Sequence, residues 1–222
     1  MKKVIVLLSG GLDSATTLYY AKGQGFSVHA LIFDYGQRHG KEIKCAVAVA
    51  KAARCPFEVV KISLPWKGSA LLDKNIKVPH RRKLDAKDIP VTYVPARNII
   101  FLSFAASYAE ALGAEKIFIG ANAIDYSGYP DCRPDFFAAY SKVLEKGLKT
   151  GVEGKKIRVE TPLIRKTKTQ IIRLGIQLQV PYKLTWSCYE GGRRPCGSCD
   201  SCRLRDKGFS ELNIQDPLFK KV

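Results

Sequence analysis

Strand-like and helix-like segments alternate along this 222-residue chain, and this alternation restricts its fold more than any other feature. Short apolar, β-branched runs recur between longer segments with apolar residues at helical spacing. We predict strands at 3–8, 28–33, 58–62, 116–120 and 157–160, and helices at 14–22, 41–53, 97–112, 135–147 and 168–178. Successive strands separated by helices need crossover connections, so the pattern predicts an α/β fold with a doubly wound, parallel, five-stranded sheet.

The predicted sheet also indicates where function should lie. Ligands of open parallel sheets bind at the carboxyl ends of the strands. Two long irregular stretches, 63–95 and 121–134, are rich in the turn and charged residues typical of binding loops. We therefore expect function in the segments that follow the strands, namely 9–14, 34–39, 63–66, 120–135 and 161–168.

The amino-acid totals restrict the class of partner. The chain has 37 Lys and Arg against 20 Asp and Glu, a formal net charge of +17, which would suit a polyanion such as nucleic acid. A lysine-rich surface with one polyphosphate site is the alternative, because the basic residues are spread out, with the strongest bias at 149–173. No apolar run is long enough to span a membrane, and the first one reads as a buried strand, so we expect a cytoplasmic protein.

The turn after the first predicted strand has the composition of an anion-binding loop. The residues Ser9-Gly10-Gly11-Leu12-Asp13-Ser14 follow an apolar run and precede a helix. Backbone N–H groups at a helix N-terminus bind anions, and the two serine hydroxyls could add donors. Asp13 would cap the helix or hold a divalent cation. An ordinary strand-to-helix turn is the alternative, although the complete pattern favours phosphate binding.

Four of the seven cysteines lie close together near the end of the chain. Cys188, Cys196, Cys199 and Cys202 follow the spacing Cys-x7-Cys-x2-Cys-x2-Cys. Four thiolates are typical of a closed structural zinc site, which could fix a C-terminal segment to the rest of the protein. An iron–sulfur cluster also takes four cysteines and is the alternative. A redox Cys-x-x-Cys would leave two of the thiols unexplained.

The anion-binding loop resembles that of the ATP pyrophosphatase (PP-loop) superfamily, whose fold is of the adenine nucleotide alpha hydrolase type. The resemblance implies ATP and Mg²⁺ as ligands, bound by Leu8, Ser9, Gly10, Gly11, Leu12, Asp13 and Ser14. In that superfamily the loop holds the pyrophosphate that leaves when the substrate becomes an adenylate. The Walker lysine is absent here, so basic residues from other segments would supply the positive charge.

Further stretches resemble one branch, the 7-cyano-7-deazaguanine synthases. They are F-D-Y-G-Q-R-H at 33–39, P-A-R-N at 95–98, D-Y-S-G-Y-P-D-C-R at 125–133, T-P-L at 161–163 and T-W-S-C-Y at 185–189. The resemblance runs from about Lys3 to Phe209, although Ala96 stands where the family leads us to expect glycine. It implies an ATP-dependent ligase that converts 7-carboxy-7-deazaguanine and ammonia to the nitrile, through an adenylated carboxylate and an amide. The product would be a precursor of queuosine or archaeosine.

The resemblance also implies roles for individual residues and parts of the chain. Asp13, Arg97 and Lys168 would be catalytic, and Phe33 and Gly120 would border the adenosine. The substrate would be bound by Tyr35, Gln37, Asp131 and Arg133. A catalytic domain at 1–180 would be followed by a zinc-binding segment at 181–222, and the protein would be a homodimer. Arg97 could instead pair with a carboxylate, and Lys168 could be a solvated first-turn residue.

Two other functions remain open from the sequence. The net charge favours a tRNA-modifying member of the superfamily, of the thiolation or lysidine-forming type. Against it, no second cysteine pair stands apart from the four, and 222 residues leave no room for a separate RNA-binding domain. The third is a non-enzymatic nucleotide-sensing domain with a zinc-ribbon-like module. We expect small-molecule substrates and neither a nucleic-acid partner nor a membrane.

Overall fold

Five parallel strands form one sheet at the centre of the protein, in the order β3-β2-β1-β4-β5. The computed structural model describes residues 1–81, 88–124 and 128–219. The strands are β1 Lys3–Leu7, β2 Ser27–Asp34, β3 Phe57–Lys61, β4 Lys116–Phe118 and β5 Arg158–Glu160. All five lie within two residues of their predicted positions, so the predicted parallel five-stranded sheet is confirmed.

The central position of β1 follows from its composition. Val4, Ile5 and Val6 are completely buried, and β1 pairs with β2 on one side and β4 on the other. Parallel strands covered on both faces are apolar throughout, because neither face meets water. In β3, at the edge of the sheet, Glu58 and Val59 are exposed.

Helices cover both faces of the sheet, as a doubly wound fold requires. One core includes Leu18, Val49 and Ile172, and the other includes Leu102 and Phe137. The helices are α1 Leu12–Gly23, α2 Lys41–Ala52, α3 Arg97–Leu112, α4 Pro134–Gly147, α5 Lys149–Val152, α6 Lys168–Gln177 and α7 Asp200–Ser210. The sequence did not predict α5 or α7. No helix in the described ranges has both the length and the apolar character that crossing a membrane would need.

The C-terminal helix packs directly on the sheet domain. A Cβ atom at Gly208 in α7 would lie 2.8 Å from Cγ of Lys168, so the absence of a side chain permits close contact with α6. The rings of Tyr182 and Phe209 meet edge to face, with centroids 5.7 Å apart. Arg205 is 1% exposed, and its guanidinium binds both carboxylate oxygens of Asp216. The division of the chain at residue 180 stays a prediction.

Two helix starts have specific local causes. Thr167 and Gln170 form a capping box that opens α6, in which each side chain bonds the other residue's backbone N–H. Before α3, Ala96 adopts a left-handed conformation with φ of 55°. Glycine adopts that conformation at lower cost than alanine, which accounts for the glycine that the family resemblance leads us to expect there.

Candidate active site

A cavity opens at the carboxyl ends of β1, β2 and β4, where the fold class predicts a ligand. Most of the site residues expected from the sequence line it. These are Leu8, Ser9, Gly11, Leu12, Asp13, Ser14, Phe33, Tyr35, Gln37, Arg97, Gly120 and Lys168. Gly10, Asp131 and Arg133 are not among the lining residues. The sheet therefore brings segments that are distant in sequence to one site.

The loop between β1 and α1 has the form of an anion site. The hydroxyls of Ser9 and Ser14 lie 3.0 Å apart, and Ser14 also donates to the carbonyl of Gly11. Gly11 is the N-cap of α1, and no side chain caps this helix. The first N–H groups of α1 consequently remain available to a bound anion beside the two hydroxyls.

Two glycines in or near this loop permit close backbone contacts. Gly10 has φ of +83°, and a Cβ there would lie 2.2 Å from the carbonyl oxygen of Glu42. The side of Gly10 on which a Cβ would lie therefore faces α2, and the lack of a side chain there permits the close contact between the loop and α2. A Cβ at Gly120 would lie 3.0 Å from the backbone of Asp13 and Ser14. Gly120 thus lets the end of β4 reach the loop.

Asp13 and Lys168 form an ion pair in the cavity. Lys168 Nζ lies 2.7 Å from both carboxylate oxygens of Asp13. Asp13 lies in the first turn of α1 and Lys168 is the first residue of α6, and their side chains are 18% and 8% exposed. The alternative of a solvated Lys168 is therefore wrong. The pair places a cation and a carboxylate beside the anion-binding loop, where they could serve phosphate and a divalent metal respectively.

Arg97 contributes a second cation to the cavity. Its guanidinium acts electrostatically on the hydroxyl of Tyr35 and lowers the pKa of that group, against the larger increase caused by burial. Burial by itself lowers the pKa of Arg97, but the neighbouring Tyr35, Tyr129 and Asp131 raise it above its ordinary value. Arg97 therefore stays charged inside the protein and can stabilise an anionic ligand.

Sequence reasoning missed Glu42, a carboxylate in the same cavity. Glu42 lies in the first turn of α2 and lines the cavity. Burial raises its pKa to about 7, although Arg97 acts in the opposite direction and Cys188 contributes a smaller increase. Within the described ranges, no group donates a hydrogen bond to this carboxylate. In the sequence, a functional role for Glu42 is indicated only by its position directly after the loop that follows β2.

The loop after β2 is held by one side chain. Gln37 Oε1 accepts the N–H of Tyr35 at 2.9 Å, and Gln37 Nε2 donates to the carbonyl of Phe33 at 3.2 Å. The ring of Phe33 stacks on Phe101 with centroids 4.0 Å apart. Gln37 therefore shapes the wall of the cavity, and the expected role in direct substrate contact stays a prediction.

Asp131 and Arg133 do not reach the cavity. Asp131 is buried, and its Oδ2 accepts the backbone N–H of Asn98 at the start of α3. Arg133 is exposed at the N-cap of α4. The role of these two residues in substrate binding stays a prediction, with Asp131 bonded to the start of α3 and Arg133 exposed to solvent. Residues 125–127 of the same motif lie outside the described residues.

The four cysteines form a compact cluster that could hold a metal ion. Their sulfur atoms all lie within 4.8 Å of one another. In a tetrahedral zinc site with Zn–S bonds of about 2.3 Å, sulfur atoms lie roughly 3.8 Å apart. Backbone N–H groups of Cys196 and Cys199 donate to cysteine sulfurs at 3.3 Å, as suits thiolate ligands. The donor set fits a four-coordinate metal.

The cysteine cluster is connected to the wall of the cavity. Trp186 lines the cavity, and its indole N–H donates to the carbonyl of Cys188 at 2.8 Å. His39 also lines the cavity, and its Nε2 lies 3.0 Å from the same carbonyl. Sequence reasoning assigned neither residue to the site. A metal at the cysteines would therefore fix both side chains through Cys188.

Comparisons with known proteins show the family of the chain. The family model for "Queuosine biosynthesis protein QueC" matches residues 3–213. The chain belongs to the QueC family. It is 56% identical over 220 residues to the 7-cyano-7-deazaguanine synthase of Nostoc punctiforme, covering 97% of this chain and 98% of that protein.

An archaeal relative and a solved structure extend the comparison. The 7-cyano-7-deazaguanine synthase of Thermoplasma volcanium is 54% identical over 218 residues, covering 98% of this chain and 90% of that protein. The solved structure of NMN synthetase from Francisella tularensis shares the fold, with a TM-score of 0.51 and 17% identity. The alignment covers 96% of this chain and 78% of that one. The family and the fold expected from the sequence are confirmed.

Proposed function

We propose that this protein is an ATP-dependent ligase that converts 7-carboxy-7-deazaguanine and ammonia to 7-cyano-7-deazaguanine. One observation carries the proposal: the anion-binding loop, the Asp13–Lys168 pair and Arg97 line a single cavity. That cavity combines a site for a polyphosphate with cations for a reacting carboxylate. The names of the QueC relatives supply the identity of the product, 7-cyano-7-deazaguanine.

The proposed reaction meets a specific chemical difficulty. A carboxylate resists attack by ammonia because an oxide is a poor leaving group. Transfer of AMP from ATP gives a mixed anhydride, from which AMP leaves as the C–N bond of the amide forms. A second transfer of AMP to the amide oxygen allows that oxygen to leave and the nitrile to form. Both activations need charge stabilisation at the α-phosphate.

The residues of the cavity suit separate parts of this reaction. The N–H groups at the start of α1, with Ser9 and Ser14, would hold the departing pyrophosphate. Lys168 would neutralise charge developing on the phosphates, with Asp13 orienting its ammonium group. Arg97 would hold the substrate carboxylate beside the α-phosphate. Mg²⁺, when bound, would neutralise phosphate charge, and Asp13 is its candidate protein ligand.

The metal at the four cysteines is proposed to be a structural zinc ion. Four protein ligands leave no open coordination position for a reactant, as is typical of structural zinc. The proposed partners are the small-molecule substrates, without nucleic acid, in a cytoplasmic homodimer. Metal analysis would separate zinc from iron, and sedimentation analysis would give the oligomeric state.

Product analysis tests the proposed function. Purified protein with its metal is incubated with 7-carboxy-7-deazaguanine, ammonium, Mg²⁺ and ATP, without RNA, and the products are identified by mass spectrometry. The proposal predicts the nitrile together with AMP and pyrophosphate. If neither amide nor nitrile forms, the proposal is wrong, and tRNA becomes the substrate to test. Binding of tRNA would weaken steeply with added salt, unlike turnover of a small base.

A further inference from the structure

The guanine-type ring of the proposed substrate presents two N–H donors side by side, one at N1 and one on the 2-amino group. A carboxylate offers two acceptors with matching geometry. If both donors entered a cavity without acceptors, each would lose a hydrogen bond to water, at a cost in affinity. A carboxylate in the lining of the cavity could receive both donors of this edge.

The described lining of the cavity contains two acidic residues, Asp13 and Glu42. Both carboxylate oxygens of Asp13 accept from Lys168 at 2.7 Å, and the proposed function assigns this carboxylate to the phosphates and their metal rather than to the base. Asp131 lies outside the lining and accepts the N–H of Asn98. The oxygens of Glu42 receive no hydrogen bond from the described residues, which leaves Glu42 as the acceptor available to a ligand.

We propose that Glu42 recognises the base: its carboxylate accepts the N1–H and the 2-amino N–H of 7-carboxy-7-deazaguanine. This inference rests on the proposed function. It assigns Glu42 to selecting a ring with a guanine-type edge, while Arg97 and the anion-binding loop act on the carboxylate and ATP.

The position of Glu42 is fixed by the loop that would hold ATP. The carbonyl of Glu42 packs against Gly10, where any side chain would overlap it. The first turn of α2 therefore cannot shift without the anion-binding loop. A base bound to Glu42 would be held at a fixed distance from the phosphates, as adenylation of its carboxylate requires.

The surroundings of Glu42 favour a flat neutral ring over an ammonium ion. Aromatic side chains line the cavity, namely Phe33, Tyr35, Phe101, Tyr129, Trp186 and Tyr189. Their faces suit a heterocycle. Arg97 acts electrostatically on Glu42, so its charge offsets part of the attraction of this carboxylate for a second cation.

Direct binding measurements test the assignment. Calorimetry compares 7-carboxy-7-deazaguanine with two analogues, one lacking the 2-amino group and one methylated at N1. The proteins are the metal-loaded wild type, Glu42→Gln and the control Glu58→Gln, which changes an exposed residue of β3. Glutamine keeps the size of Glu42 but replaces one acceptor with a donor, which opposes one of the two N–H groups.

We expect Glu42→Gln to weaken binding of 7-carboxy-7-deazaguanine by on the order of tenfold to a hundredfold. Its binding of the analogue without the 2-amino group should change much less, and Glu58→Gln should match the wild type. The wild type should also bind both analogues more weakly than the parent compound. This last comparison needs no variant and holds even if Glu42→Gln folds poorly.

Three results would overturn the inference. The first is equal binding of the parent and both analogues by the wild type. The second is normal binding by Glu42→Gln together with a higher KM for ammonium alone, which would place Glu42 at the ammonia step. The third is a wild type that binds none of the compounds, which would also contradict the proposed function. The first two leave that function standing, so the failures are distinguishable.

Discussion

Trp186 donates its backbone N–H to the carbonyl oxygen of Gly10 over 2.9 Å. This bond joins the segment before the cysteine cluster to the anion-binding loop. The indole of the same residue donates to the carbonyl of Cys188, so the backbone and the side chain of one residue connect the two sites. A metal at the cysteines would therefore hold the loop in place from a position outside the cavity.

Loss of the metal should unfold the C-terminal segment and weaken ATP binding. Structural zinc contributes on the order of 10 kcal/mol to folding. We expect Cys199→Ser to lower the melting temperature sharply and to abolish metal binding, whereas Cys45→Ser, outside the cluster, should retain the metal. Calorimetry and metal analysis of both variants provide the test. Full ATP affinity in metal-free protein would show that the two sites are uncoupled.

Gly10→Ala should destabilise the protein more than Gly25→Ala. Both glycines have left-handed φ angles, +83° and +79°, but only at Gly10 would a Cβ overlap neighbouring atoms. The shared backbone strain costs about 1–2 kcal/mol, and the overlap with α2 should add at least ~1 kcal/mol at Gly10. Urea denaturation of both variants measures the difference. An equal loss of unfolding free energy in the two variants would mean that α2 shifts to accommodate the added methyl group at no cost.

The Asp13–Lys168 pair should show strong energetic coupling. Removal of one partner leaves the other charge buried and unpaired, which costs about 3–5 kcal/mol in a fully buried pair and less here, because Asp13 is 18% exposed. We expect Asp13→Asn and Lys168→Met each to be destabilised, and the double variant to regain part of the stability. All three should lose turnover at least about a hundredfold. Near-normal activity in the double variant would remove the pair from the mechanism.

The raised pKa of Glu42 predicts that its contribution to the free energy of unfolding depends on pH. Its folded value is about 7, against an ordinary 4.5. The stabilisation that protonated Glu42 contributes is complete below pH 4.5. It is lost as pH rises through 7, where the carboxyl group ionises in the folded protein. The free energy of unfolding of Glu42→Gln, relative to that of the wild type, should therefore increase by up to about 2–3 kcal/mol between pH 5 and pH 8. Urea denaturation at both pH values tests this, and a constant difference would contradict it.

The fold and the cysteine cluster could be predicted because both depend on local patterns. Buried parallel strands such as β1 have an apolar sequence. The spacing of the cysteines from Cys188 to Cys202 is typical of a four-thiolate metal site. Helix α7 was missed because two of the four cysteines, Cys199 and Cys202, lie at its N-cap and in its first turn, and its charged residues conceal the helical periodicity. The spacing of the cysteines predicted a metal-binding loop and did not predict a helix.

The substrate side of the cavity was harder to predict, since tertiary contacts decide it. Asp131 was expected to bind the substrate, and in the structure one of its carboxylate oxygens accepts the N–H of Asn98 in the first turn of α3. Glu42 looks like an ordinary first-turn acid of an amphipathic helix. Only the packing of α2 against Gly10 turns that helix end toward the ligand site, and no local pattern encodes this contact.

Transfer of oxygen from the substrate to AMP tests the central claim, that this cavity activates a carboxylate with ATP. The protein is supplied with 7-carboxy-7-deazaguanine labelled with oxygen-18 in its carboxyl group, together with ammonium, Mg²⁺ and ATP. We predict that mass spectrometry finds the label in the phosphate of AMP, because the carboxyl oxygen leaves bonded to phosphorus. Unlabelled AMP, or ADP in its place, would contradict activation by adenylation.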